Sequence, residues 1–524
     1  MRKSRSIALS RGIVDATKYP VSAGDKAVSK AILSFMDMAA SATNRATAYN
    51  TKDQQKTAVE SLHTELFKIN RGIYTASLLL EGLTDYNIEV GVRNLLANTS
   101  GRDESMLTLD TETKAIALLI TRIPVQRMLD IFLELREKRI NNARSRKVIL
   151  LALLGSDKLE YWSVKYRKKI KASLEHAWGK RTAGIVTSIS SKARRTEKEK
   201  SIMQENVHRF SENGAKYVDE CVAFIFGNKT KKPTLPVLQS FVGAKRDIEA
   251  GSKLPREVLE GIRGTYHKGT VTTAQVLELT KKQLTGREAM KTQKNAEKHG
   301  VEVEYSAKSQ NAVDIYIHAY ANGFDKMLKK ALAEKGKIAA KMMNLSYGSV
   351  GILVDCSQSM AGDASQKMRP MAVALATRDM LMHVGDKAEV VYVGGDVSED
   401  LPIPQGETDL AGGLIQLMKN EPEAIFIISD GYENSPAGRV NEVIELAKKI
   451  GFACDFYQFS PVMSAESQGI KTLGESVSAM PISNPTAVGI GSLKLMIQSN
   501  PREGVMGLFD IAVGKLVAAK VLPA

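Results

Sequence analysis

Gly351-Ile352-Leu353-Val354-Asp355-Cys356-Ser357-Gln358-Ser359-Met360 is the stretch whose reading decides the fold. A short apolar run bounded by a polar segment has the pattern of a buried parallel strand. The run ends in Asp-x-Ser-x-Ser, where such a strand's carboxyl end opens into a loop, and α/β sheets bind their ligands at those ends. One carboxylate and two hydroxyls on one turn are all oxygen donors. That set suits Mg²⁺ or Mn²⁺, which keep several waters and take few protein carboxylates. Further ligands must then come from other loops. Thr408, in Gly406-Glu407-Thr408-Asp409, and Asp430, closing the run Ala424-Ile425-Phe426-Ile427-Ile428-Ser429, follow in order. An Asp-x-Ser-x-Ser string alone also caps helices and makes turns, so the later Thr and Asp between apolar strands carry the metal reading.

Around this stretch, apolar strand patterns at 349–355, 388–393, 424–430 and 454–459 alternate with helical patterns at 367–383, 408–419 and 438–450. That alternation predicts an α/β doubly wound, Rossmann-like domain over 346–524. Its tail carries helical stretches at 492–497 and 508–521, expected to pack back on the rest. Before residue 346 the pattern is different. Apolar residues recur at three- and four-residue spacing over 27–38, 55–70, 72–83, 88–98, 111–121, 125–139 and 145–154, and a last long helix is expected at 310–333 with 335–344 as a bridge into the Asp355 strand. Successive helices without strands fit an α-solenoid or an irregular all-α domain over 26–345. Residues 1–25 read as a flexible basic arm.

The 524 residues carry a formal net charge of +15, unevenly placed. From Tyr347 onward, 13 Lys and Arg stand against 21 Asp and Glu, about −8; the preceding residues hold 60 against 37, about +23. A cationic front end points to a polyanion partner. Its basic residues are densest at Arg136, Lys138, Arg139, Arg144, Arg146 and Lys147, then Lys165, Arg167, Lys168, Lys169 and Lys171, then Lys180 and Arg181, and a basic loop follows at 228–233. Between Tyr161 and Arg195 the one acid is Glu175, so pairing along the helices leaves this charge uncompensated. Phosphate contacts are the expected role of these cations. Tyr161, Trp162, Tyr166, His176 and Trp178 are interleaved with them and offer rings for stacking on bases. Core packing is the competing role of the two tryptophans.

No run approaches a membrane span, no apolar leader follows the charged amino terminus, and Cys221, Cys356 and Cys454 are too few for a disulfide framework. A cytoplasmic protein is expected. The chain has no P-loop, no His-Glu-x-x-His, no nucleophile elbow and no cysteine–histidine cluster, and its seven histidines are dispersed. A non-catalytic protein is expected too.

The Asp355, Ser357 and Ser359 loop, with Thr408 and Asp430, resembles the metal-ion-dependent adhesion site of von Willebrand factor A domains. A helical region before one such domain resembles the Ro autoantigen, or TROVE, family. Val354-Asp355-Cys356-Ser357-Gln358-Ser359-Met360 is similar to that family's Val-Asp-x-Ser-x-Ser-Met, Gly406-Glu407-Thr408-Asp409 to its Gly-Gly-Thr-Asp with Glu407 in place of a Gly, and Leu254-Pro255-Arg256-Glu257 to its Leu/Ile-Pro-Arg-Glu. The resemblance implies a ring of HEAT-like repeats binding small non-coding or misfolded structured RNA. Single-stranded 3′ ends would enter the ring, and a metal site in the A domain would take an acidic group from a protein ligand. Two other readings remain at this level: an adaptor partnering an AAA+ ATPase chaperone, and a structural assembly protein using the A domain.

Overall fold

The computed structural model describes residues 7–42, 51–192, 194–227, 233–343, 346–362, 367–396, 401–433, 437–461 and 471–522. The start of the expected arm and most of the basic loop at 228–233 lie outside them. An all-helical region precedes a small parallel sheet. By contacts the chain divides into two compact units, one of Met1–Gly91, Ser100–Leu119 and Ala307–Ala524, the other of Val92–Thr99 and Ile120–Ser306.

Among the described residues of the first unit, five strands run parallel: β1 Tyr347–Asp355, β2 Gly385–Val393, β3 Ala424–Ile428, β4 Asp455–Ser460 and β5 Ser478–Pro481. Their order is β2-β1-β3-β4-β5. Every residue of β3 is buried, and so is β1 from Val350 onward, as a sheet covered on both faces requires. Leu353, Ile425 and Ile427 pack under the helices Leu410–Met418 and Arg439–Lys449. The chain leaves β1 toward β2 on one side and reaches β3 on the other, so the strand order reverses beside β1. A crevice outside the strand ends opens at such a point.

The tail helices Gly489–Ser499 and Pro501–Ala518 pack on each other and on the helix Asp25–Ser41, where Lys494 Nζ bridges to Asp37 at 2.5 Å. Ala8 N–H donates to Asp510 at 2.9 Å, and Val14 pairs with Leu107 in an isolated antiparallel bridge, so the described part of the amino-terminal segment is tied to this unit.

The single helix expected at 310–333 is two helices, Ala312–Asn322 and Lys326–Met343. Gly323 ends the first at φ 102°, a conformation open to glycine, and the Asp325 side chain accepts the Leu328 amide at 2.8 Å to start the second. The expected bridge at 335–344 is therefore helical as far as Met343. The strand β5 was not foreseen. It is four residues long, too short for alternation to declare itself.

The second unit is helical throughout among the described residues. Thr196, Thr272 and Thr285 each begin a helix with a capping box, accepting the N3 amide while the Glu or Gln there bonds back. Val164, Leu238, Leu254, Leu259 and Val276 share one of its cores.

Candidate functional site

The register of the sheet builds the first candidate site. Val354 pairs with Ile428 and Asp355 with Val393, so the ends of β1, β2 and β3 come level. Asp355 is completely buried and receives the Ser357 amide on Oδ1 at 2.8 Å and the Ser429 hydroxyl on Oδ2 at 2.7 Å. Ser357 and Ser359 stand with their hydroxyls 3.0 Å apart. Adjacent ligands of an octahedral Mg²⁺, each about 2.1 Å from the ion, are about 3 Å apart.

The segment carrying Thr408 is laid on the Asp355 loop by main-chain bonds. Gln405 N–H donates to Cys356 O at 3.1 Å, Gln358 N–H to Gly406 O at 3.2 Å, and Gly395 N–H to Gln405 O at 2.9 Å. Thr408 is buried, and its Oγ1 has no hydrogen-bond partner among the described residues. A buried hydroxyl without a partner is rare and asks for a ligand or an ion. Asp430 is partly buried after β3, its Oδ1 accepting the Tyr432 amide at 3.1 Å. Burial pushes the Asp355 carboxyl above its ordinary pKa, opposed by the Ser429 and Ser357 hydrogen bonds and reinforced by the negative charge of Asp430. Two carboxylates and three hydroxyls around one strand end fit a hard divalent ion. Among the described residues no group of three or more His, Cys, Asp or Glu has metal-holding geometry. The candidate set is instead rich in hydroxyls. Cys356 inside the loop is buried and burial pushes its thiol up to about 12, so it serves as a small apolar filler.

Three residues of this site escaped the sequence reading. Ser429 anchors Asp355, and its one signal was a hydroxyl ending an otherwise apolar strand. Gly394 and Gly395 adopt φ of 75° and 69°, and a Cβ on them would lie 2.6 Å from Thr408 Cγ2 and 2.9 Å from Cys356 Cβ. Only glycine lets the end of β2 pass so close.

The second candidate site lies on the helices Val125–Glu137, Ala143–Leu154, Arg167–Trp178 and Lys180–Ser190 of the other unit. The ring nitrogen Nε2 of His176 bonds to Ile140 O at 2.8 Å, and Asn141 Nδ2 donates to His176 O at 2.7 Å. These bonds join the segment at Ile140 and Asn141 to the end of the helix at His176; Arg136 and Arg139 precede the one in sequence, and Lys180 and Arg181 follow the other. Arg136, Arg139, Arg146, Lys147, Lys168, Lys180 and Arg181 are exposed and make no ion pair or side-chain hydrogen bond among the described residues.

The other expected cations are engaged. Lys138 meets Glu134 at 2.8 Å, Lys169 meets Asp130 at 2.6 Å, Lys171 meets Glu175 at 3.9 Å, and Lys165 lies 3.4 Å from Glu257 and 3.3 Å from Glu288. Burial would lower the Lys165 pKa, but the carboxylates of Glu257 and Glu288 outweigh it and raise the pKa. Arg167 Nε donates to Ile225 O at 3.1 Å and its guanidinium covers the Phe224 ring. Arg144 is partly buried and has a partner. For Lys165 and Lys169 the scarcity of acids nearby in sequence is thus made good by acids on other helices. Trp178 is buried against Phe226 with its indole N–H on Asn206 O at 3.0 Å, a packing role. His63, with Tyr74 at 2.7 Å and Asn87 at 3.0 Å, and His208, with Asp219 at 2.9 Å, are structural as well.

No helix among the described residues is long and apolar enough to cross a membrane. No family model matches the chain, and no curated protein matches it. Among solved structures, the crystal structure of Deinococcus radiodurans RO (RSR) protein is similar over 93% of this chain and 100% of that one, at 12% identity and a TM-score of 0.37. That is a distant likeness, and by itself it assigns neither fold nor function.

Proposed function

We propose that this is a non-catalytic RNA-binding protein whose helical region grips RNA phosphates and whose sheet domain holds a divalent ion for ligand binding. The observation that carries the reading is the junction at His176 and Ile140, flanked in sequence by Arg136, Arg139, Lys180 and Arg181, all exposed and without an ion pair among the described residues. Exposed cations without acid partners keep their full charge for a polyanion. In this reading the helices form a HEAT-like ring or solenoid, and the sheet is a von Willebrand A domain. Asp355, Ser357, Ser359, Thr408 and Asp430 would hold Mg²⁺ or Mn²⁺, supported by the buried Thr408 hydroxyl, which has no partner among the described residues. The ion would act as a Lewis-acidic anchor for an acidic group from a protein ligand.

Fluorescence anisotropy with a labelled structured RNA bearing a single-stranded 3′ end, repeated from 50 mM to 200 mM salt, tests the RNA reading. Affinity falling steeply with salt supports it. Absence of RNA binding together with co-purification of a hexameric ATPase would overturn it in favour of the adaptor.

A further inference from the structure

The helix Ala312–Asn322 carries two tyrosines four residues apart, on one face. Tyr316 is buried and anchors the helix: its hydroxyl donates to Asp379 Oδ2 at 2.6 Å and accepts from Arg378 Nη2 at 2.7 Å. Arg378, itself buried, also binds the Asp379 carboxylate and the Tyr392 hydroxyl of β2. Tyr320, one turn on, does something else. Its hydroxyl donates to Pro402 O at 2.7 Å.

Pro402 starts the segment that ends in Thr408. Between them Ile403 and Asp396 exchange main-chain bonds of 2.9 and 3.1 Å, and Gln405 and Gly406 bond to the Asp355 loop. This segment is held on Gly395 and Asp396 just past β2 and on the Asp355 loop, and at its start by the Tyr320 side chain of the helix Ala312–Asn322. Burial and the neighbouring Cys356 raise the Tyr320 pKa, so the hydroxyl stays protonated and able to donate.

We infer that Tyr320 is a positioning residue for the metal site, its hydrogen bond to Pro402 fixing the segment that presents Thr408 to the ion. The inference rests on the metal reading proposed above. It makes divalent-ion affinity depend on the helix Ala312–Asn322, which supplies no ligand. Tyr316 fixes that helix to its neighbour, and of the two hydroxyls Tyr320's is the one bonded to the segment that ends in Thr408.

Mn²⁺ binding to the full-length chain, followed by electron paramagnetic resonance of the free ion, tests it with four proteins: wild type, Asp355→Ala, Tyr320→Phe and Tyr316→Phe. Phe keeps the ring and removes only the hydroxyl. Loss of one neutral hydrogen bond predicts about fivefold weaker Mn²⁺ binding by Tyr320→Phe. Tyr316→Phe is expected to lower the melting temperature while binding Mn²⁺ within about twofold of wild type. Unchanged affinity in Tyr320→Phe, or equal weakening in both tyrosine variants, overturns the inference while leaving the metal reading intact. Wild type that binds no Mn²⁺, or Asp355→Ala that binds as wild type does, removes the metal reading and the inference with it.

Discussion

The Ser429 hydroxyl donates to Asp355 Oδ2 at 2.7 Å, joining the ends of two adjacent parallel strands through a buried carboxylate. Ser429 Oγ also accepts the Gly431 amide at 3.2 Å, so one atom fixes both Asp355 and the turn after Asp430. Removing it leaves a buried carboxylate short of a donor. Ser429→Ala is expected to cost about 1.5–3 kcal/mol, the range for a hydrogen bond to a charged group. Urea unfolding of the two proteins without divalent ion measures the difference, and a change below a few tenths of a kcal/mol would mean that Asp355 finds another donor.

The strand ends at Asp355 and Asp430 could be read in the sequence because parallel strands announce themselves as apolar runs. The contribution of Ser429 could not, since a hydroxyl inside a strand has many roles and only the register of β1 on β3 selects this one. Tyr320 was hidden for the same reason: its partner Pro402 is 82 residues away. On the helices, Arg136 and Lys180 were legible as cations, but the Ile140–His176 bond between their segments was not. Lys165 and Lys169 looked unpaired because Glu257, Glu288 and Asp130 reach them from distant helices. The break at Gly323 was overlooked because the apolar spacing continues across it.

Arg71 and Glu112 form a pair with side-chain exposures of 0% and 2%, Nε to Oε2 at 2.5 Å and Nη2 to Oε1 at 2.9 Å. Breaking a buried pair strands one charge, so Glu112→Gln is expected to destabilise the protein by about 3–5 kcal/mol. The double replacement Arg71→Met with Glu112→Leu is expected to cost less than the single one. Chemical denaturation of the three proteins checks both statements, and a double variant worse than the single one would contradict the argument.

Glu134 accepts Arg93 Nη1 at 2.7 Å and Lys138 Nζ at 2.8 Å. Burial raises its pKa, but the hydrogen bonds from Lys138 and Arg93 outweigh burial and hold it below the ordinary 4.5. A depressed folded pKa stabilises the fold above the unfolded value and loses that contribution as pH falls through the folded one. The stability difference between wild type and Glu134→Gln should therefore be constant from pH 7 to about 5 and shrink below about 4.5. Urea midpoints across that range provide the check. A difference that grows on acidification would reverse the sign assigned here.

In the proposed reading, RNA phosphates are gripped by Arg136, Arg139, Lys180 and Arg181 around the His176–Ile140 junction. The direct measurement is the salt dependence of RNA affinity for wild type and for the fourfold variant R136A/R139A/K180A/R181A. Each phosphate contact with a single strand contributes about 0.7 to the slope of log affinity against log salt, so the variant should bind more weakly with a slope shallower by about 3. Equal affinity and equal slope in the two proteins would contradict the account.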